Sequence, residues 1–278
     1  MSRRRDKGFE TSALLNNLTF LDFYYQLKEI AISRFVYYNY PATLDVEYLE
    51  RKLYELGKCA IFRDEVIGDM ALACATIGHP DVNENPIKWA VYGSNGYYKN
   101  CDKSNSVIMY NNRTRRPTKD VCLAYAKKLY LIDRTEDINI NAQKTPILIK
   151  ASETQRLTML QLYQKYDGNQ PYIFADRKLN LDDVSVLQTN APFVTDKIHQ
   201  HKMDVWNECL TYLGITNVSI NKRERLITDE VTRSQGGTLA SRAGALGARQ
   251  KALDYYNAIM GTNIVVEFNP DYIGENET

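Results

Sequence analysis

No stretch of this chain approaches the roughly 18 consecutive apolar residues that mark a membrane-spanning helix, so a helical membrane protein is not expected. Charge of one sign is also lacking: 35 Lys and Arg stand against 34 Asp and Glu, a net of +1. A general basic field is thereby excluded, and any contact with nucleic acid has to arise from local patterning. The five cysteines, Cys59, Cys74, Cys101, Cys122 and Cys209, are odd in number and none forms a C-x-x-C pair. The N-terminus does not read as a secretion signal, so reduced thiols in a soluble, cytoplasmic protein are expected.

Signatures of catalysis are missing as well. There is no G-x-x-x-x-G-K-[ST], so no nucleotide hydrolysis by a P-loop is expected. Gly236, Gly237, Gly244 and Gly247 follow no strand-like run and lack the spacing of a dinucleotide fingerprint. His199 and His201 are two apart on a predicted helix and point nearly opposite ways, a poor arrangement for sharing a metal. Asp176, Asp182 and Asp183 are the one acidic set compatible with two-metal phosphoryl chemistry, although loop acids are more often simply solvated. The expectation is no catalytic residue, no metal and no cofactor.

What is present is an ordinary globular mixture, 44% hydrophobic and 25% charged over 278 residues, long enough for one large domain or two small ones. Twenty tyrosines stand out, several as doublets such as Tyr24-Tyr25 and Tyr255-Tyr256. A ring with a polar tip suits core edges and half-wet subunit contacts alike.

Periodicity gives an α+β outline with no internal repeat. Thr11 or Ser12 is placed as the cap of a helix whose Leu14, Leu18, Leu21, Tyr25 and Ile32 recur at three-and-four spacing up to about Tyr38. Thr43 restarts a helix that Gly57 stops. Strand patterns follow over 59–62, 66–76, 87–92 and 107–110. Pro117 opens a helix to about Ile138. A β-rich stretch punctuated by Pro146, Pro171 and Pro192 comes next, with a helical piece over 159–166. Thr195 or Asp196 caps a helix ending at Gly214; 217–237 reads as a long mobile loop, 239–260 as helix and 263–268 as strand.

On a wheel of 100° per residue the helix after Asp196 gathers Ile198, Lys202, Val205, Trp206, Cys209, Leu210 and Leu213 on one face. Lys197, Asp204, Glu208 and Thr211 fall on the other. Asp204 and Glu208 are a like-charge pair four apart, costing an isolated helix about 0.2–0.5 kcal/mol. A neighbouring base or water neutralises such a pair, or a function uses it.

Several segments carry a specific resemblance: NAQKTPILIK at 141–150, YDGN at 166–169, NAPFVTDK at 190–197 and VWNE at 205–208, extended by LGI at 213–215 and KRERLITDE at 222–230. In these the chain resembles the portal proteins of small short-tailed bacteriophages with protein-primed DNA replication, also called upper collar or head–tail connector proteins. The resemblance is weaker before Asp120 and fades after Val231. It implies an α/β wing over 1–116 with a basic arm at 1–10, a long helical stem hairpin of 117–140 and 196–214, a β-rich clip over 141–195, a flexible channel loop over 215–237 and a second wing part over 238–278.

It also implies a homododecameric ring at one capsid vertex, a virion component assembled in the host cytoplasm. Double-stranded DNA would pass through it during packaging and ejection. The implied partners are the packaging ATPase, a packaging RNA, the major capsid and scaffold proteins and the lower collar or tail protein, with no membrane. The resemblance further implies a late protein of capsid assembly that binds DNA and RNA. Acidic faces of Asp204 and Glu208 repeated around a bore would repel phosphates spaced about one charge per 1.7 Å, so that DNA slides. Lys197, Lys222 and Arg223 match positions of basic channel rings, screened beyond about 8 Å at physiological salt. Gln188 stands where a relative can carry lysine. Arg3, Arg4 and Arg5 match a nucleic-acid-binding arm, and Arg113, Arg115 and Arg116 form a second basic cluster of open role. The alternatives are another ring-forming tail or collar protein, and a metal-dependent nucleic-acid enzyme built on Asp176, Asp182 and Asp183.

Overall fold

The computed structural model describes the backbone of residues 7–143, 147–149, 184–186, 192–216 and 228–273, with side chains for 17–141, 143, 192–216 and 236–273. The order is α1 (Lys7–Ile32), β1 (Phe35–Tyr38), α2 (Val46–Leu56), β2 (Lys58–Asp64), β3 (Gly68–Ile77), β4 (Lys88–Tyr92), β5 (Tyr98–Asp102), β6 (Ser106–Tyr110), α3 (Lys119–Gln143), β7 (Ile147–Ile149), β8 (Val184–Val186), α4 (Thr195–Leu213), α5 (Thr228–Met260) and β9 (Val265–Phe268), followed by a 3-10 turn at Pro270–Tyr272. The α+β class read from the sequence is the observed one.

The chain divides into two compact units, residues 1–131 with 201–278, and residues 132–200. In the larger unit an antiparallel sheet runs in the order β5-β4-β3-β2-β6. The inner strand β2 is buried on both faces from Cys59 to Phe62, which explains its uninterrupted apolar run. One face gathers Ala60, Phe62, Cys74, Trp89, Val91 and Cys101 into a core cluster. Helices α2 and α5 pack on the sheet. All five cysteines are buried free thiols.

Strand β5 escaped the sequence pattern because it is an edge strand whose only buried residue is Cys101. With one neighbour and one covered side chain it has no apolar alternation to read.

The first helix is bounded differently from its expectation. It begins at Lys7, so Thr11 and Ser12 lie inside it, and it ends at Ile32 rather than near Tyr38. Beyond Ser33, whose hydroxyl folds back onto the Glu29 carbonyl at 2.8 Å, the Phe35–Tyr38 run leaves helical spacing and pairs antiparallel with β9, Phe35 opposite Phe268. Their rings meet edge to face at 5.5 Å. Aromatic and β-branched residues suit a strand once a partner is available, and that partner lies at the other end of the chain.

Helix α2 is capped by Asp45, not Thr43: the Asp45 carboxylate accepts the Tyr48 N–H at 2.8 Å. Gly57 closes it at φ 75°, as expected. A Cβ there would stand 2.8 Å from the Pro117 nitrogen, so both conformation and space require glycine.

Helix α3 starts at Lys119, two residues after Pro117, and runs past Ile138 to Gln143. The Thr118 carbonyl accepts the N–H groups of Val121 and Cys122. Helix α4 starts at Thr195, but the carbonyl that takes its first amide, from Ile198, belongs to Val194, so neither Thr195 nor Asp196 is the cap. It ends in a Schellman turn: Ile215 N–H bonds to Leu210, Gly214 N–H to Thr211, and Gly214 has φ 80°.

The largest correction concerns the loop expected over 217–237. Residues from Thr228 onward are helical and continuous with α5; 217–227 lie outside the described residues. The last strand is β9, close to its expected place.

In the smaller unit β7 and β8 pair antiparallel, Ile147 opposite Val186. Asn139 on α3 holds the approach to α4: its side-chain oxygen accepts from the Val194 N–H and the Thr195 hydroxyl, each at 3.1 Å, and its amide donates to the Pro192 carbonyl at 3.0 Å. The helical piece expected over 159–166 and the stops Pro146 and Pro171 lie outside the described residues.

Candidate functional site

Helix α4 carries the described part of the candidate site. Val205, Cys209 and Leu213 are buried on one side, while Lys197, Asp204 and Glu208 are exposed on the other. The two faces are those of the wheel. Lys202 falls on the apolar face and is half-buried, its ammonium 5.6 Å from the centre of the Phe23 ring on α1. His199 is 3.8 Å from Glu136, an exposed and loose pair.

Glu208 has a partner on α3: burial and its hydrogen bond to this carboxylate push the Tyr125 phenol up to about 12. One member of the like-charge pair is therefore engaged by a neutral donor. Tyr125 thus ties the Glu208 carboxylate to α3, while both acids of the wall stay exposed.

The other end of α4 is held by arginines. Arg34, which is buried, donates to the Leu213 carbonyl at 2.8 Å, and Arg242 donates to the Gly214 carbonyl at 3.0 Å. Cations at a helix C-terminus also meet the favourable end of its dipole. Burial, and after it the neighbouring Arg249, lowers the Arg34 guanidinium to about 10, still charged at neutral pH.

Arg249 on α5 is the centre of this polar interior. It forms a two-pronged pair with Glu50 on α2, both contacts at 2.7 Å, and donates to the Asn111 and Ala245 carbonyls at 2.9 and 3.0 Å. Its guanidinium covers the Phe35 ring at 3.8 Å. The Tyr37 hydroxyl donates to the same Glu50 carboxylate. One residue thus joins α2, α5, β1 and the end of β6. Sequence reasoning missed this group. Its signal is the seven-residue spacing of Arg242 and Arg249, which puts both arginines on one helix face together with Ala245, Ala252 and Leu253.

Arg113, Arg115 and Arg116 are exposed. Arg115 lies over the Tyr110 ring at 4.6 Å and bonds to Asn85 at 2.5 Å, while the Arg116 carbonyl accepts from Asn111 and Asn112. Two of the three thus have structural contacts at the start of α3. Lys222, Arg223, Arg3, Arg4, Arg5, Gln188, Asp176, Asp182 and Asp183 lie outside the described residues, so α4 is brought together with none of them. Among the described residues no cluster of three or more His, Cys, Asp or Glu could hold a metal, and no helix is long and apolar enough to cross a membrane. Gly236, Gly237, Gly244 and Gly247 all lie inside α5, which excludes a strand-to-helix phosphate loop there.

Comparison with known proteins agrees with this architecture. The family model Phage Connector (GP10) matches residues 5–273. Among solved structures, a chain of the portal and tail of native bacteriophage P68 superposes with a TM-score of 0.52 at 15% identity, covering 95% of this chain and 90% of that one. An HK97 family phage portal protein from Corynebacterium diphtheriae gives a TM-score of 0.43 at 10% identity, over 91% and 92% of the two chains. A chain from the virion of a native gene transfer agent particle gives 0.46 at 12%, over 89% and 79%. The likeness to the P68 chain is one of fold, and the family match extends over nearly the whole sequence. With its five-stranded sheet, its long helices and its charged α4, the chain belongs to the phage connector family.

Proposed function

We propose that this protein is a portal subunit: twelve copies form a ring at one capsid vertex, through which double-stranded DNA passes during packaging and ejection. The observation that carries the reading is the connector-family match over residues 5–273. The charged wall on α4 supports the channel assignment, because its acids stay exposed while the opposite face is buried. Asp204 and Glu208 repeated around the bore repel phosphate, and Lys197 with Lys222 and Arg223 steers it, so the duplex is guided without being held. The clip over 141–195 docks the packaging ATPase and later the lower collar. Arg3, Arg4 and Arg5 touch nucleic acid at that junction, a packaging RNA included, and the wing meets capsid and scaffold proteins. The protein itself is a passive conduit of the virion, not an enzyme, and takes no cofactor.

The test is electron microscopy of the purified full chain, with a central hole expected in top views. Replacing Lys197, Lys222 and Arg223 by alanine should leave rings intact and change retention of DNA at the end of packaging. A chain that stays single at high concentration overturns the reading. A triple variant that no longer forms rings would make those residues structural and remove the channel assignment.

A further inference from the structure

Two helix faces of the larger unit point away from its interior and are complementary to each other. On α1, Phe20, Tyr24, Leu27 and Ala31 lie on the inner side: Phe20 meets Tyr130 of α3 edge to face at 6.4 Å, and Leu27 and Ala31 are buried. The opposite side carries Leu18, Asp22, Tyr25 and Glu29, four, seven and eleven residues along, which places all four within about 60° of arc. All four are exposed, Leu18 at 52% and Tyr25 at 58%. The face is apolar with two acids.

On α3, Cys122, Ala126 and Leu129 are buried. The outer side carries Leu123, Ala124, Lys127 and Leu131, with Leu123 at 42% exposure and Leu131 at 52%. Lys119 and Asp120 are exposed at its beginning, and Lys128, also exposed, turns to the Tyr125 ring at 5.1 Å. This face is apolar with two lysines and one acid. Neither helix needs its two large apolar groups in water for its own packing, and exposed apolar rows rimmed by charge mark contact surfaces.

We propose that the outer face of α1 in one copy of this chain packs on the outer face of α3 in the next copy. The inference rests on the ring reading and names the surface that makes the ring. Leu18 and Tyr25 cover Leu123 and Leu131, while Asp22 and Glu29 meet Lys119 and Lys127. Charge disfavours pairing either face with its own copy, and the ring reading disfavours a closed two-fold exchange of the two faces. A two-fold pairing of α1 with α1 sets Asp22 and Glu29 against their own copies, and a two-fold pairing of α3 with α3 sets lysine against lysine. The head-to-tail arrangement joins opposite signs, and head-to-tail contacts are the kind that close into rings.

The test reverses the charges in the full-length protein. The variants D22K/E29K and K119E/K127E should each weaken self-association by roughly a hundredfold, since like charges across a contact cost several kcal/mol. The four changes together should restore rings, because the pairing is then opposite again. The residues are exposed, so an unchanged far-ultraviolet circular dichroism spectrum with a cooperative melt checks that each variant is folded. A second measurement does not depend on charge: L18C and L123C variants, treated with a short bis-maleimide, should give linked dimers when mixed and none separately. The five native cysteines are buried and contribute little background. Rings untouched by either reversal, a quadruple variant that does not recover, or linked dimers from L18C alone would each overturn this surface while leaving the ring reading standing. A wild-type chain that forms no rings removes both.

Discussion

Helices α4 and α5 build opposite kinds of contact from the same alphabet. Helix α4 buries Val205, Cys209 and Leu213 and keeps Lys197, Asp204 and Glu208 outside, as an amphipathic helix should. Helix α5 buries Thr238, Arg242, Ala245, Arg249, Leu253 and Tyr256, so charge goes inward, and its outward positions include Gly236, Ala240 and Ala243. Burial of a guanidinium is tolerable only where every donor finds an acceptor and the charge finds a partner, and Arg249 meets both conditions. Apolar burial holds the inner face of α4, with directional bonds added at Glu208 and at its C-terminal carbonyls; α5 is held by a network whose members depend on one another.

That difference predicts unequal responses to truncation. The largest effect is expected for Arg249→Ala, which leaves the Glu50 carboxylate buried without its counter-ion and should cost about 3–5 kcal/mol in a denaturant titration. Replacing Glu50 and Arg249 together by methionine should recover much of that loss. If the double change is as damaging as the sum of the single ones, the pair is not acting as a unit.

Leu213→Ala on α4 creates a cavity at a fully buried position and should cost about 2–5 kcal/mol. Here no second substitution should compensate, and rescue by a neighbouring change would blur the contrast between the two helices.

High pH tests both sides through tyrosine. Burial and the Asp69 carboxylate raise the Tyr256 phenol on α5, and burial and Glu208 raise Tyr125 beside α4 to about 12. A raised folded value means stability that is complete below the ordinary phenol range near 10 and is lost as pH climbs from there through the raised folded value. Alkaline unfolding followed by circular dichroism should therefore begin above about pH 10. Glu208→Gln should lower the Tyr125 value and leave Tyr256 unchanged.

The glycines of α5 give the next step down. Gly244 and Gly247 have helical backbone and open space where a Cβ would stand, so alanine at each should stabilise the isolated subunit by about 1 kcal/mol. A raised melting temperature combined with loss of rings would show that another copy approaches the helix there. Smallest of all, Asp204→Asn on the exposed wall should change folding by no more than about 0.5 kcal/mol, while a DNA-retention assay reads its effect in the channel.

The same contrast explains what could be read in advance. The faces of α4 and the Gly57 and Gly214 stops were legible because apolar periodicity and left-handed glycines are local signals. The start of α5 was not, since the helix has polar and small residues where a core face is sought, and Gly236 and Gly237 mimic a break. Phe35–Tyr38 was read as helix because its strand partner, β9, lies more than two hundred residues away, and β5 was missed because an edge strand covers only one side chain. The Asn139 bonds to Pro192, Val194 and Thr195 and the Arg249–Glu50 pair are contacts between distant positions, which no window along a single sequence contains. The resemblance supplied the family from short segments around 141–230, and it carried the roles of Lys197, Lys222 and Arg223 as expectations that biochemistry has to test.

The two guanidinium groups at the end of α4 have a mechanical consequence. Arg34 comes from the α1–β1 junction and Arg242 from α5, yet they grip successive carbonyls, those of Leu213 and Gly214. A force along the α4 axis is therefore shared between the first and last parts of the polypeptide before any apolar packing has to yield. The helix end is anchored like a spoke fixed by two bolts in separate plates, so its last turn cannot unwind without breaking both grips.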